Sequence, residues 1–185
     1  MNPSCNLFII GPTGAGKTSI GRRLADHYGL SFVDLDQEVE RHCGVVVSTV
    51  FEIEGEAGFR QRESTLLDTL SRQAGVLLAT GAGAVLAAGN RPWLAGRGFV
   101  VWLQASVEQQ LERLERDQRR PLLAGPDRQT RLQAMAIARE PIYRELADLA
   151  IPGRHGSVGA ASEHCVAMID RHWQRVVIPS PSHPT

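Results

Sequence analysis

The eight residues Gly11-Pro-Thr-Gly-Ala-Gly-Lys-Thr18 constrain this chain more than any others. They fit the pattern G-x-x-x-x-G-K-[ST] at Gly11, Gly16, Lys17 and Thr18. An apolar stretch, Asn6 to Ile10, precedes them. Helix-spaced apolar residues at Ile20, Leu24 and Ala25 follow within Thr18 to Tyr28. Glycines let the backbone wrap a phosphate with its N–H groups turned inward, and the helix behind adds the positive end of its dipole. In that setting Lys17 reaches the β- and γ-phosphates of a nucleotide and the Thr18 hydroxyl ligates Mg²⁺. A chance match in a chain of ordinary glycine content is on the order of one in a hundred. The chain also carries nineteen Arg and a single Lys, and that Lys falls in the phosphate slot.

The rest of the chain repeats the alternation of short apolar runs and longer helical patterns. Ser31 to Asp34, Val76 to Ala79, Phe99 to Leu103 and Leu149 to Ile151 read as further strands. Gly58 to Arg72, Ser106 to Arg116, Arg128 to Ala138 and Pro141 to Leu149 read as helices. Ser106 at the N-cap and Gln109 three residues on form a capping box. Near-continuous apolar strands separated by helices predict an α/β fold, a parallel sheet covered on both faces. The Arg-, Pro- and Gly-rich stretch Asp117 to Asp127 is too polar for a buried element and is expected to be a mobile lid. The tail from Ile178 is Pro- and Ser-rich and expected to be disordered. The 185 residues point to one domain over 1–177.

Composition excludes several classes. Twenty basic and twenty acidic side chains cancel, so neither nucleic acid nor an anionic membrane has an electrostatic claim on the chain. No apolar run reaches the ~18 residues of a membrane span. Three cysteines, Cys5, Cys43 and Cys165, form no C-x-x-C pair. That argues against a disulfide framework or a zinc site and suits a reducing, cytoplasmic setting. No signal peptide is expected at the N-terminus. The six histidines show no metal-ligand spacing.

A phosphate loop alone does not separate kinases from GTPases or motor ATPases. There is no N-K-x-D guanine signature, and no acidic residue closes the run Val76 to Thr80 before Gly81. A second set of residues narrows the choice. Phe-Val-Asp-Leu-Asp, 32 to 36, places Asp34 and Asp36 at the carboxyl end of a strand, where parallel sheets bind ligands. Period-two alternation would turn both carboxylates to one side. Arg60, in Gly55-Glu-Ala-Gly-Phe-Arg60, is able to clamp a carboxylate, although a solvated helix face with i,i+4 pairs explains it as well. The small residues Gly81, Ala82 and Gly83 allow a backbone to approach a ligand.

The phosphate loop, D-x-D at Asp34 and Asp36, G-E-x-x-F-R at Gly55 to Arg60, the Gly-rich loop, R-P-L-L from Arg120 and R-x-P-x-Y from Arg139 follow one another at spacings that resemble the shikimate kinase family. The resemblance covers roughly residues 6–170. It implies a three-layer fold with a five-stranded parallel sheet of order 2-3-1-4-5, helices on both faces and a mobile lid. It implies that Gly14, Ala15, Gly16, Lys17, Thr18 and Ser19 bind the phosphates of ATP, with Arg113 near the adenine and Arg120 carried down by the lid. Thr18 would bind Mg²⁺ and Asp34 would support it through water. Asp36 would contact the accepting hydroxyl, Arg60 and Arg139 the substrate carboxylate, and the backbone of Gly81, Ala82 and Gly83 the substrate. Lys17, Asp36 and Arg120 would be the catalytic set.

The activity implied is transfer of the γ-phosphoryl of ATP to the 3-hydroxyl of shikimate, by a monomer. The alternatives are a kinase for another hydroxy acid such as gluconate, and a ligand-sensing module that has lost turnover. One position departs from the family, whose loop after the third strand has three glycines where this chain has Ala82 in the middle. Ala82 is expected to have a negative φ.

Overall fold

The computed structural model describes residues 3–115 and 127–176. The lid expected over 117–127, apart from its last residue, Arg120 within it and the tail from 178 lie outside the described residues. Five strands alternate with helices: β1 Leu7–Ile10, α1 Lys17–Tyr28, β2 Ser31–Asp34, α2 Leu35–Cys43, α3 Val47–Ser71, β3 Val76–Ala79, α4 Asn90–Arg97, β4 Phe99–Leu103, α5 Val107–Leu114, α6 Arg128–Leu146, β5 Leu149–Ile151 and α7 Val158–His172. A short 3₁₀ turn, Ala84–Leu86, follows β3. All strand pairs are parallel, and their order is β2-β3-β1-β4-β5.

Alternation along the central strand divides the core into two layers. Leu7 and Ile9 of β1 face Ile20 and Leu24 of α1 and Ile169 of α7. Phe8 and Ile10 face Leu67 of α3, Leu94 of α4 and Tyr143 of α6. Every residue of β1, β3 and β4 is buried, as strands covered on both sides must be. Trp102 lies within the second layer. Asn6, just before β1, is a buried polar group whose needs are met: its side-chain amide donates to Gln73 O at 2.7 Å and Arg97 O at 3.1 Å, and its oxygen accepts from Val76 N at 3.0 Å. It pins the starts of β1 and β3 together.

One expectation about helices needs correction, and two helical segments were not anticipated. The break expected at Pro141 does not occur, and α6 runs continuously through it. The proline lies on the solvent side, while burial of Leu132, Arg139 and Tyr143 anchors the helix on both sides of it. The helix expected from Gly58 is present as the second part of α3, which divides at Gly55, where φ is 70° and ψ is −178°. The helical turns from Val47 before it were not anticipated. Lastly, Leu35–Cys43 forms a helix directly after β2. Its apolar residues Leu35 and Val39 are buried, and the helix ends in the left-handed Gly44.

Among the described residues, no helix is long and apolar enough to cross a membrane. A tight contact at the foot of β4 offers a test of the packing. A Cβ added to Gly98 would come within 2.6 Å of the ring of Phe8, which is fully buried. Gly98→Ala should therefore overpack the core by ~1–3 kcal/mol, lowering Tm by roughly 3–9 °C for a chain of this size. A thermal melt with unchanged Tm would contradict this packing.

Candidate active site

The loop between β1 and α1 is shaped by three glycines with positive φ: Gly11 at 142°, Gly14 at 77° and Gly16 at 89°. At Gly11 space adds to the constraint, because a side chain there would run into the Leu103 carbonyl. Lys17 opens α1, and its ammonium donates to the carbonyls of Gly11 and Pro12, each at 2.8 Å. The Thr18 hydroxyl donates to Asp34 Oδ2 at 2.6 Å. This direct link from phosphate loop to β2 was not visible in the sequence.

Gly14 to Ser19, Asp34, Asp36, Thr80 and Ala82 line a cleft of about 440 Å³. Gln104, Ile151 to Arg154 and His164 line it as well. Arg113 crosses this cleft, donating to Gly14 O and Arg154 O at 3.0 Å each. It therefore bridges the phosphate loop and the segment after β5.

Asp34 and Asp36 both face the cleft, but not by strand alternation. Asp34 ends β2 and caps α2, its Oδ1 accepting from Asp36 N at 3.1 Å and Gln37 N at 3.3 Å. Asp36 stands in the first turn of α2. Helix geometry, not period two, therefore sets the relation between them.

Arg60 does not simply decorate a solvated helix face. Its Nη2 pairs with Glu56 at 3.1 Å on the exposed side, while its Nη1 pairs with Glu63 at 2.7 Å, and Glu63 is fully buried. Glu63 was missed in the sequence reading, although i,i+3 spacing from Arg60 on one helix is a usable signal. Its second oxygen has no hydrogen-bond partner among the described residues.

The loop after β3 packs onto these charges. A Cβ on Gly81 would collide with the carboxylates of Glu63 and Asp36, and one on Gly83 with the Arg60 guanidinium. Ala82 between them has a negative φ, as expected, since no described non-glycine residue has φ above zero. Arg139 is buried on α6 and lines a second cleft of about 240 Å³ with Thr13, Trp102 and Tyr143. It is close enough to Glu63 to draw on its charge. The structure thus brings Asp36, Arg60, Glu63 and Arg139 around one loop, next to the phosphate loop.

The shikimate kinase family model matches residues 13–170. The chain belongs to the shikimate kinase family. A shikimate kinase of Stenotrophomonas maltophilia is 50% identical over 175 residues, covering 95% of this chain and 97% of that protein. One of Methylococcus capsulatus is 52% identical over 156 residues, covering 84% and 87%. Among solved structures, shikimate kinase from Acinetobacter baumannii in complex with shikimate is 40% identical with a TM-score of 0.88, covering 91% of this chain and 94% of that one. As a member of this family the chain is an ATP-dependent kinase, with the fold, sheet order and phosphate loop that the family resemblance implies.

Burial pushes the Glu63 carboxyl up to about 7, against the opposing pull of Arg60, while Asp36 adds to the rise. The unfolded chain releases this proton near the ordinary value of 4.5. Between these values the folded protein holds a proton that the unfolded chain does not, so stability falls as pH rises from about 5 through about 7. Glu54 and Asp68, whose carboxyls are lowered chiefly by hydrogen bonds from Arg62 and Arg97, act below that window. Tm should drop from pH 5 to pH 8 in the ligand-free protein, and Glu63→Gln should flatten that slope. Parallel slopes in the two proteins would place the proton elsewhere.

Proposed function

We propose that this chain transfers the γ-phosphoryl of ATP to the 3-hydroxyl of shikimate, giving shikimate 3-phosphate and ADP. The observation that carries this reading is the junction at the Gly81–Gly83 loop. There a phosphate-binding cleft meets two arginines suited to a carboxylate, Arg60 and Arg139, and one carboxylate suited to a hydroxyl, Asp36. The likeness to the Acinetobacter baumannii enzyme, whose structure holds shikimate, supports the choice of acid.

In this reading Gly14, Ala15, Gly16, Lys17, Thr18 and Ser19 receive the ATP phosphates through backbone N–H groups and the positive end of α1. Lys17 would leave the carbonyls of Gly11 and Pro12 for the phosphates, and Arg113 would flank the adenine. Phosphoryl transfer passes through a loose transition state, so the protein's work is placement and charge neutralisation. Asp36 orients the accepting hydroxyl and takes its proton late. Arg60 and Arg139 hold the acid at a distance from the reacting atoms and convert that binding into alignment.

The donor set fits Mg²⁺. The Thr18 hydroxyl and the Asp34 carboxylate meet at 2.6 Å, both hard oxygen ligands. Among the described residues, no cluster of three or more His, Cys, Asp or Glu side chains suits a metal by itself, so the remaining ligands fall to phosphate and water. Thr18 would hold the ion directly and Asp34 through water, and the ion would neutralise charge on the transferred phosphoryl group. Small molecules are its ligands in this reading, since a neutral net charge gives nucleic acid and anionic membranes no electrostatic hold on the chain.

The test is coupled ADP release with Mg-ATP against a panel of hydroxy acids that includes shikimate and gluconate. Shikimate should give turnover, and Lys17→Ala should lose it by at least ~10²-fold while keeping the wild-type circular dichroism spectrum. ADP release with gluconate but not with shikimate would move the chain to the other kinase reading. Near wild-type turnover in Lys17→Ala would remove the phosphate loop from the chemistry.

A further inference from the structure

Tyr143 closes the motif R-x-P-x-Y one helical turn beyond Arg139, so the two side chains share a face of α6. The tyrosine is 2% exposed. Its ring packs on Trp102 of β4, with centroids 5.8 Å apart and planes at 31°. Held in that way, the hydroxyl donates to the carbonyl oxygen of Ala82 at 2.5 Å. The Arg139 guanidinium stands one turn back on the same face and lines the same cleft as Tyr143. Burial pushes the phenol up to about 12, with the positive charge of Arg139 opposing the rise, so it stays a donor throughout the neutral range.

The bond to Ala82 fixes more than a carbonyl. No described peptide bond is cis, and in a trans peptide the N–H points opposite to the C=O. Holding the Ala82 carbonyl against α6 therefore turns the Gly83 N–H away from Tyr143. Gly83 is also the residue whose Cα faces the Arg60 guanidinium. A single hydroxyl on α6 thus fixes a peptide of the loop after β3, on the helix face and in the cleft that also hold Arg139.

We infer that Tyr143 is a positioning residue for the acceptor substrate, coupling the peptide at Ala82–Gly83 to the Arg139 guanidinium so that both are set together. The inference rests on the reading of Arg139 and the 81–83 loop as the shikimate side of the site. A core role for the ring alone is the competing account, and the two differ in what removal of one oxygen does. Phenylalanine keeps the packing on Trp102 and Ile10 but leaves the Ala82 carbonyl without its donor and removes the dipole beside Arg139.

Tyr143→Phe should raise the KM for shikimate about tenfold, with the KM for ATP changed less than twofold and kcat less than about threefold. In combination with Arg139→Lys the losses should not multiply, because the hydroxyl acts through that arginine. An unchanged KM for shikimate, an equal rise in both KM values, or independent losses in the double variant would each overturn the inference. If the Phe variant does not fold, amide exchange in the wild-type protein decides. Shikimate should slow exchange at Gly83 and around Arg139 together, and protection of one without the other contradicts the coupling. Turnover of shikimate by the wild type tests the underlying reading separately, since a wild-type chain that ignores shikimate sinks that reading before any variant is made.

Discussion

Five parallel strands all end at one edge of the sheet, and the placement of every candidate residue depends on that constraint. A parallel strand must be followed by a connection that leaves from its carboxyl end and returns on a covered face. The phosphate loop therefore leaves β1 beside the point where Asp34 ends β2 and Thr80 follows β3. The turn after β4 and the segment after β5 complete the rim. Hydrogen bonds then tie the rim together across elements: Thr18 to Asp34, Thr80 to Ile9, and Arg113 to both Gly14 and Arg154. The fold supplies nearness, and these bonds supply geometry.

On that rim, charge and small residues are matched to each other. A buried carboxylate is expensive unless it is paired, and Glu63 is paired with an arginine that also faces the loop after β3. Gly81 has no room for a side chain because Glu63 and Asp36 lie against it, and Gly83 has none because of Arg60. Ala82 between them is half-buried at the cleft, and its φ is negative. Alanine at position 82 is thus compatible with the loop, whereas alanine at 81 or 83 would push aside the charged ends of Glu63, Asp36 or Arg60. The one departure from the family's pattern falls at the position of the three that displaces none of these charges.

Much of this was legible in the sequence, for identifiable reasons. The five strands show as short runs of apolar residues because burial on both faces leaves no room for polar ones. The phosphate loop is legible because its glycines and lysine are demanded by local chemistry at fixed spacing. Arg60 and Arg139 were legible only through the succession of motifs, since a lone arginine on a helix reads as a solvated one. Glu63 was missed because its meaning comes from burial, and α3 shows no clean apolar stripe across the break at Gly55. Asp36 was placed in the right cleft by the wrong geometry. A strand that turns directly into a helix at Asp34 looks, from the letters alone, like a strand that continues. Pro141 misled in the opposite direction, since tertiary anchoring at Leu132 and Tyr143 outweighs a local breaker.

The central claim is a division of labour: the phosphate loop holds the nucleotide while Arg60 and Arg139 hold the acid. Steady-state kinetics of Arg60→Ala and Arg139→Ala, with shikimate and ATP varied in turn, test it most directly. Removing one partner of a desolvated charge pair typically costs ~2–5 kcal/mol, so the KM for shikimate should rise by at least about thirtyfold. The KM for ATP should stay within about twofold of wild type. An equal loss of ATP affinity in both variants would place these arginines on the nucleotide and contradict the account.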